Sequence, residues 1–232
     1  MYLTRIPVDI CRRKGLEFAG SPYRIHAAVE SSFAAGAPRT CDGGRILWRL
    51  DDPIGRADCL WLYILSPSEP DCEVIVDQSG LPVGSEPETK AYGDVLASIS
   101  EGQCWQFRLK ANPVRKVLVD KGRVPREGVR GTVQGHVTEA QQRTWLLDRA
   151  AAHGFEVMRS TSGAEALAVS HRRRERFKRD GGTVTLVTAQ YDGVLKVTDA
   201  RSFRKTLGFG MGRAKGFGCG LMTIAPVAGG GR

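Results

Sequence analysis

Gly208-Phe-Gly-Met-Gly212, Arg213-Ala-Lys215 and Gly216-Phe-Gly-Cys-Gly220 form one uninterrupted stretch, a doubled G-F-G-x-G around a basic insert. What flanks this stretch decides which folds are open to the chain. Before it, Asp199 reads as the cap of a helix running to about Leu207; after it, Phe217 to Ala225 reads as a strand. That order, helix then glycines then strand, is the reverse of the dinucleotide fingerprint, in which a strand enters G-x-G-x-x-G and a helix leaves it. The ATP-binding loop is excluded as well, because no Lys-Ser or Lys-Thr follows a glycine. No nucleotide cofactor is therefore expected. Dense glycine still lets a backbone approach a ligand closely and present bare N–H groups to phosphate oxygens. Gly208, Gly210, Gly212, Gly216 and Gly218 are the candidate phosphate-facing positions, with Arg213 and Lys215 supplying the matching charge.

Outward from the loop, the chain reads as a repeated α+β unit. In the C-terminal half, Thr132–Val137 is expected as a strand, and Thr138 with Glu139 opens a helix to about His153. Gly154–Met158 and Leu167–His171 follow as short strands, then a hairpin of Thr183–Tyr191 and Val194–Val197 around Asp192-Gly193. In the N-terminal half, Tyr2–Ile6 is a strand, and Ser21-Pro22 starts a helix whose buried stripe is Ile25, Ala28, Val29, Ser32 and Phe33. Arg45–Leu50, Cys59–Leu65 and Glu73–Val76 are read as strands, with a turn at Asp52-Pro53-Ile54-Gly55. Lys90–Ile99 is read as a helix and Cys104–Lys110 as a strand. The order is β-α-β-β-α-β with one extra strand, a ferredoxin-like unit. The expectation is two such domains in tandem, 1–111 and 132–225, joined by a linker region at 112–131 and ending in a mobile tail at 226–232.

Charge separates the halves. Residues 1–110 carry 12 Lys/Arg against 15 Asp/Glu, whereas 111–232 carry 22 against 10. Positive charge gathered in one half is the electrostatic footprint of a polyanion partner. The run His171-Arg-Arg-Arg-Glu-Arg-Phe-Lys-Arg179 is its densest part, read as a loop leading into the hairpin. Arg172, Arg173, Arg174, Arg176, Lys178 and Arg179 are the candidate nucleic-acid contacts there, with Arg159 as a lesser one. The longest apolar run, Cys59–Leu65, is far short of the ~20 residues a membrane span needs, and the N-terminus lacks a signal pattern. A soluble, cytoplasmic protein with no membrane partner is expected. The six cysteines include no C-x-x-C pair, so reduced, packed thiols are expected rather than a zinc site or disulfides.

Tyr23 and His26, three residues apart, share a face of the first helix at the rim of its buried stripe. A histidine there can exchange a proton near neutral pH. The four histidines lack metal-ligand spacing and no carboxylate cluster is visible, so no metal is expected.

Taken together, Met-Tyr-Leu-Thr-Arg-Ile at residues 1–6, Ser21-Pro-Tyr-Arg-Ile-His26, Trp105-Gln-Phe-Arg-Leu-Lys-Ala-Asn-Pro113 and the Gly208–Gly220 loop resemble the CasE family. These are CRISPR-associated endoribonucleases of the type I-E system, within the RAMP proteins. The resemblance covers about residues 1–225. It implies two tandem ferredoxin-like domains and recognition of the hairpin in the CRISPR precursor RNA. It further implies a metal-independent cut at the 3′ base of the stem, by 2′-hydroxyl attack that leaves a 2′,3′-cyclic phosphate. The family's helix histidine maps to His26 and its partner tyrosine to Tyr23. Retention of the mature crRNA and assembly with other subunits of a type I-E surveillance complex are also implied. Such attack needs proton removal from the 2′-hydroxyl, proton delivery to the leaving 5′-oxygen and positive charge on the phosphorane. His26 suits either transfer, and Arg24, Arg213 or Lys215 could hold the charge. Two alternatives compete: a non-catalytic RNA-binding subunit of the same fold, and a metal-dependent nuclease acting on DNA.

Overall fold

A computed structural model describes residues 1–52, 58–117, 132–161, 163–179 (without the Arg179 side chain) and 181–227. Most of the expected Asp52–Gly55 turn, linker and tail lie outside the described residues.

The first unit runs β1 (Tyr2–Asp9), α1 (Arg13–Ala19), α2 (Pro22–Ser31), a small ribbon of β2 (Thr40–Cys41) and β3 (Gly44–Arg45), β4 (Leu47–Asp51), β5 (Cys59–Ser66), α3 (Cys72–Ser79) and β6 (Glu88–Ala91). Its antiparallel sheet has the order β4-β5-β1-β6, the ferredoxin-like arrangement. Ile25, Ala28 and Val29 of α2 and Ile75 of α3 pack on Ile6, Val8, Leu62 and Ile64 of the sheet. Two expectations fail here. Glu73–Val76 is helical, because Asp71 accepts from the Glu73 N–H as an N-cap and the sheet gives Ile75 a fully buried seat. Tertiary packing overrides the strand preference of Val-Ile-Val. The fourth strand is Glu88–Ala91, and the helix expected over Lys90–Ile99 shortens to α4 (Gly93–Ser98).

The second unit begins earlier than its expected boundary. β7 (Cys104–Ala111) hydrogen-bonds to β12 (Gly182–Val197) and β13 (Met222–Pro226), with β10 (Phe155–Val157) on the far side of β12. With α5 (Glu139–Ala150) and α6 (Ala200–Phe209), the order β10-β12-β7-β13 repeats the first sheet's arrangement. Thus Cys104–Lys110, expected to close the first domain, opens the second. Thr132–Val137 contributes β9 (Thr132–Gly135), which pairs with β8 (Val114–Val117) in a separate ribbon rather than joining the main sheet.

β11 (Leu167–Arg179) is a long arm paired with β12, so the basic run is strand and not loop. The hairpin expected around Asp192-Gly193 does not form. β12 passes straight through it, because Asp192 pairs with Ala168 on one side and Arg108 on the other. A Cβ at Gly193 would strike the Phe107 ring at 3.0 Å, so glycine there serves close packing and not a turn. The last strand starts at Met222 instead of Phe217, since 217–220 still belong to the glycine loop.

The two sheets are joined by Arg49 on β4, which is fully buried. Its Nε and one terminal nitrogen donate to Asp51 at 2.7 and 2.8 Å, and that nitrogen also donates to Thr223 Oγ1. The other nitrogen donates to the carbonyls of Arg108 and Leu221. A buried guanidinium with its whole fork satisfied ties the edge of the first sheet to two strands of the second.

Candidate functional site

Helix α2 sets the position of His26. Ser21 caps it, accepting from the Arg24 N–H at 3.3 Å, and Pro22 occupies the first turn. With Ile25, Ala28 and Val29 buried, Tyr23 and His26 emerge at the rim, His26 with a third of its side chain exposed. Glu30, one turn on, places its carboxylate 4.0 Å from His26 Nδ1 and is held from behind by Arg39 Nε at 3.0 Å.

The glycine loop covers the other side of His26. A short 3₁₀ turn, Lys215–Phe217, sits on α2; a Cβ at Gly216 would lie 3.6 Å from His26 Nε2, and the Phe217 ring stands edge-on to the imidazole at 6.4 Å. Gly216 thus packs against the imidazole. The other glycines have different partners. Gly208 lies inside α6, where a Cβ would overlap the Gly43 carbonyl. Gly210 backs onto the Gly220 carbonyl and Leu47, and Gly212 onto Trp145. Gly218, with φ of +75°, leaves 2.6 Å between a would-be Cβ and Trp48. Gly208, Gly210 and Gly218 accordingly stand where a side chain would collide with the fold. Lys215 turns back to donate to the Gly212 carbonyl at 2.5 Å, and burial, followed by the charge of Arg45, lowers its pKa. Arg213 remains exposed on the loop.

Arg24 does not accompany His26. Two positions along an α-helix are separated by about 200°, and Arg24 lies 3.6 Å from Glu17 instead. Arg159 pairs with Glu165 at 3.5 Å in the connection between β10 and β11.

The β11–β12 hairpin rises beside α2. At its root the register shifts between Ser170 and Arg173, with His171 at φ of +44° and its Nε2 3.4 Å from Asp52 of the first unit. Arg172 is taken up in bracing, donating to Gln142 Oε1 at 3.0 Å and to the Val137 carbonyl at 2.8 Å. Beyond it the strand alternates. Arg173, Glu175 and Phe177 face the first unit, while Arg174 and Lys178 lie on the opposite face and are exposed. Arg176 is exposed and reaches the cleft rim, and the Arg179 side chain is outside the description. Lys110 meets Glu175 at 2.9 Å, a pairing the sequence offered no signal for because the two strands are distant in the chain. Glu30, in contrast, could have been found from its i+4 spacing to His26.

The six cysteines are free thiols, and among the described residues no group of three or more His, Cys, Asp or Glu is placed to hold a metal ion. No described helix is long and apolar enough to cross a membrane.

A protein-family model described as CRISPR associated protein matches residues 1–226. The chain belongs to this family, as a CasE member. It is 24% identical to the CRISPR-associated endoribonuclease Cse3 of Thermus thermophilus, over 97% of this chain and all of that protein. It is 26% identical to the CRISPR system Cascade subunit CasE of Escherichia coli K12, over 78% of this chain and 89% of the relative. The structure of Thermus thermophilus Cse3 bound to an RNA representing a pre-cleavage complex superposes with a TM-score of 0.73, at 22% identity, covering 97% of this chain and 98% of that one. At that identity the superposition speaks for the tandem ferredoxin-like fold. Within this CasE chain, His26, the Lys215–Phe217 turn and the basic hairpin border one another.

Proposed function

We propose that this chain is an endoribonuclease that binds the hairpin of a CRISPR repeat transcript and cuts at the 3′ base of its stem. The observation that carries the reading is the seat of His26: an imidazole one third exposed on α2, with the glycine loop packed on one side at Gly216 and the basic hairpin alongside. The relatives named as an endoribonuclease and as a Cascade subunit support the activity and the assembly with other subunits.

In the reaction, the RNA's 2′-oxygen attacks the adjacent phosphorus while the bond from phosphorus to the 5′-oxygen breaks. The products are a 2′,3′-cyclic phosphate and a 5′-hydroxyl. His26 performs one of the two proton transfers, and the Tyr23 hydroxyl hydrogen-bonds to the reacting phosphate. Arg213 offsets the phosphorane charge from the exposed part of the loop. In this reading the RNA's own 2′-hydroxyl is the nucleophile and no metal ion takes part. The exposed cations of β11 hold the stem through its phosphates and A-form shape. The cut product stays bound, and the protein acts in the cytoplasm.

The test uses labelled repeat-hairpin RNA in EDTA, with a second RNA carrying a single 2′-deoxy nucleotide at the cut. Wild type should cut once, leave the deoxy RNA intact and yield an end that only cyclic-phosphate opening makes labelable. His26→Ala should bind normally and cut about 10²–10⁴-fold more slowly, the usual loss of a general acid or base. Tight binding with no cutting, with or without metal, would replace this reading by the non-catalytic RNA-binding subunit.

A further inference from the structure

The two ring nitrogens of His26 meet different surroundings. Nδ1 faces Glu30 Oε1, 4.0 Å away and one helical turn on. Nε2 lies on the side of the glycine loop, next to Gly216. The Glu30 carboxylate is held by more than its helix. Its second oxygen accepts from Arg39 Nε at 3.0 Å, and a terminal nitrogen of Arg39 donates to the Glu30 carbonyl at 3.3 Å. The other terminal nitrogen donates to the carbonyls of Ala34 and Ala37, at 3.2 and 2.9 Å. The guanidinium also lies over the Phe33 ring, 5.6 Å from its centre. Arg39 therefore closes the C-terminal end of α2 and fixes the Glu30 side chain in the same geometry. One carboxylate oxygen is committed to Arg39, and the other is turned to His26.

Which nitrogen of a neutral imidazole carries the proton is set by the partner of the other. An ionised carboxylate only accepts, so it selects the tautomer with the hydrogen on Nδ1. Nε2 then presents its lone pair and can take the proton of the 2′-hydroxyl. In the imidazolium, Nε2–H can give a proton to the leaving 5′-oxygen instead. In either transfer the Nδ1 proton stays in place and Glu30 stays ionised, offsetting the charge of the protonated ring. Both side chains are partly exposed, so the pair contributes little to folding. RNA laid over the ring displaces water, and the same attraction strengthens where the reaction takes place.

We propose that Glu30 is a positioning residue for His26: clamped by Arg39, it holds the proton on Nδ1 and leaves Nε2 to the scissile linkage. The inference rests on the proposed cleavage through His26 and adds to it a side chain that acts through the ring and not on the RNA.

The test is single-turnover cutting of the repeat hairpin in EDTA at saturating protein, which separates the chemical step from binding. Glu30→Ala should cut about tenfold more slowly, a part of the roughly 10²–10⁴ that a general acid or base supplies. Its affinity for the hairpin should stay that of wild type. Glu30→Gln keeps an oxygen for Arg39 and for Nδ1–H and loses only the charge, so it should cut about threefold more slowly. In a His26→Ala background, Glu30→Ala should have no further effect, because it acts through the ring. Nitrogen-15 spectra of labelled histidine in mildly alkaline buffer give a second readout, with the His26 signals identified by their loss in His26→Ala. They should place the proton on Nδ1 in wild type and move it toward Nε2 in Glu30→Ala. Thermal melting identifies an alanine variant that has merely lost the end of α2, and Glu30→Gln then decides. Equal rates in wild type and both variants, or the same tautomer in wild type and Glu30→Ala, overturn the proposal. So does a loss that persists without His26, or an affinity that falls in step with the rate, which would make Glu30 an RNA contact. If His26→Ala itself cuts as fast as wild type, what fails is the reading on which the proposal rests.

Discussion

The two ferredoxin-like units share a strand order and differ in almost everything laid on it. In the first, α2, which follows the opening strand and the short α1, exposes Tyr23 and His26 at its rim. In the second, the corresponding helix α5 is turned inward, with Gln142, Trp145 and Leu146 buried and Tyr191 stacked on Trp145. The second unit instead extends two strands into a basic arm. One unit thus offers a partly exposed imidazole on a helix, the other a charged surface that reaches outward. The proposed reaction needs both. Whatever holds the units in register is therefore part of the site, and the experiments that test this comparison act first on the seam.

The largest effect is expected at Arg49. Replacing it with alanine leaves the Asp51 carboxylate to the Arg108 guanidinium 3.8 Å away and removes donors from the Arg108 and Leu221 carbonyls and Thr223. Breaking a buried pair from one side costs about 3–5 kcal/mol. Urea unfolding of Arg49→Ala should show a loss of that order. A loss under about 1 kcal/mol would mean that apolar contacts between the units suffice. Gly208→Ala comes next. Alanine is the better helix former by about 1 kcal/mol, but here its Cβ meets the Gly43 carbonyl, which is backbone and cannot swing aside. Overpacking of about 1–3 kcal/mol should win, and a variant more stable than wild type would show that the approach of α6 to the β2–β3 ribbon is loose.

The arm is tested through salt. Arg174 and Lys178 are exposed and lie on the face away from the cleft. If they touch phosphates, Arg174→Ala with Lys178→Ala should lower the slope of log affinity against log salt by about 2, roughly one per contact. Arg172→Ala should behave differently, because Arg172 is committed to Gln142 and Val137. It should lower the melting temperature more than the salt slope.

How much of this could be read from the residues alone depends on the range of the interaction. The starts of α2 and α5 were legible, since Ser21-Pro22 and the Thr138–Gln141 capping box act within one turn. The adjacency of Tyr23 and His26 was legible for the same reason. The helix at Cys72–Ser79 was not, because Val74, Ile75 and Val76 favour strand locally and only the sheet beneath them decides otherwise. Asp192-Gly193 misled in the opposite direction. It has the residues of a tight turn, yet neighbouring strands on both sides hold it extended. The doubled glycines were legible as a motif, but their division of labour depends on Gly43, Trp48, Trp145 and His26, all remote in sequence.

The smallest expected effect comes from a histidine of the second unit, and it sharpens the contrast with His26. His153 ends the 3₁₀ turn after α5 and is tied to α6. Thr206 Oγ1 donates to the His153 carbonyl at 3.1 Å, and His153 Nδ1 lies 2.8 Å from that same hydroxyl. The hydroxyl has one hydrogen, already given to the carbonyl, so the ring nitrogen is the donor and the neutral imidazole carries its proton on Nδ1. Burial, then the charges of Lys215 and Arg149, hold its pKa below the ordinary 6.5. His136 is lowered in the same direction, by burial and then Arg115 and Arg149. Where a folded-state pKa is depressed, the unfolded chain binds the proton more readily. Stability is therefore fully present above pH 6.5 and drains away as pH falls from there through the lowered folded value. His153→Gln, which keeps an N–H donor for Thr206 and cannot titrate, should give urea midpoints that fall less between pH 7.5 and 5 than those of wild type. Equal falls in the two proteins would mean that His153 takes up its proton as easily folded as unfolded, and the acid sensitivity would then belong to His136 or to the carboxylates along the seam.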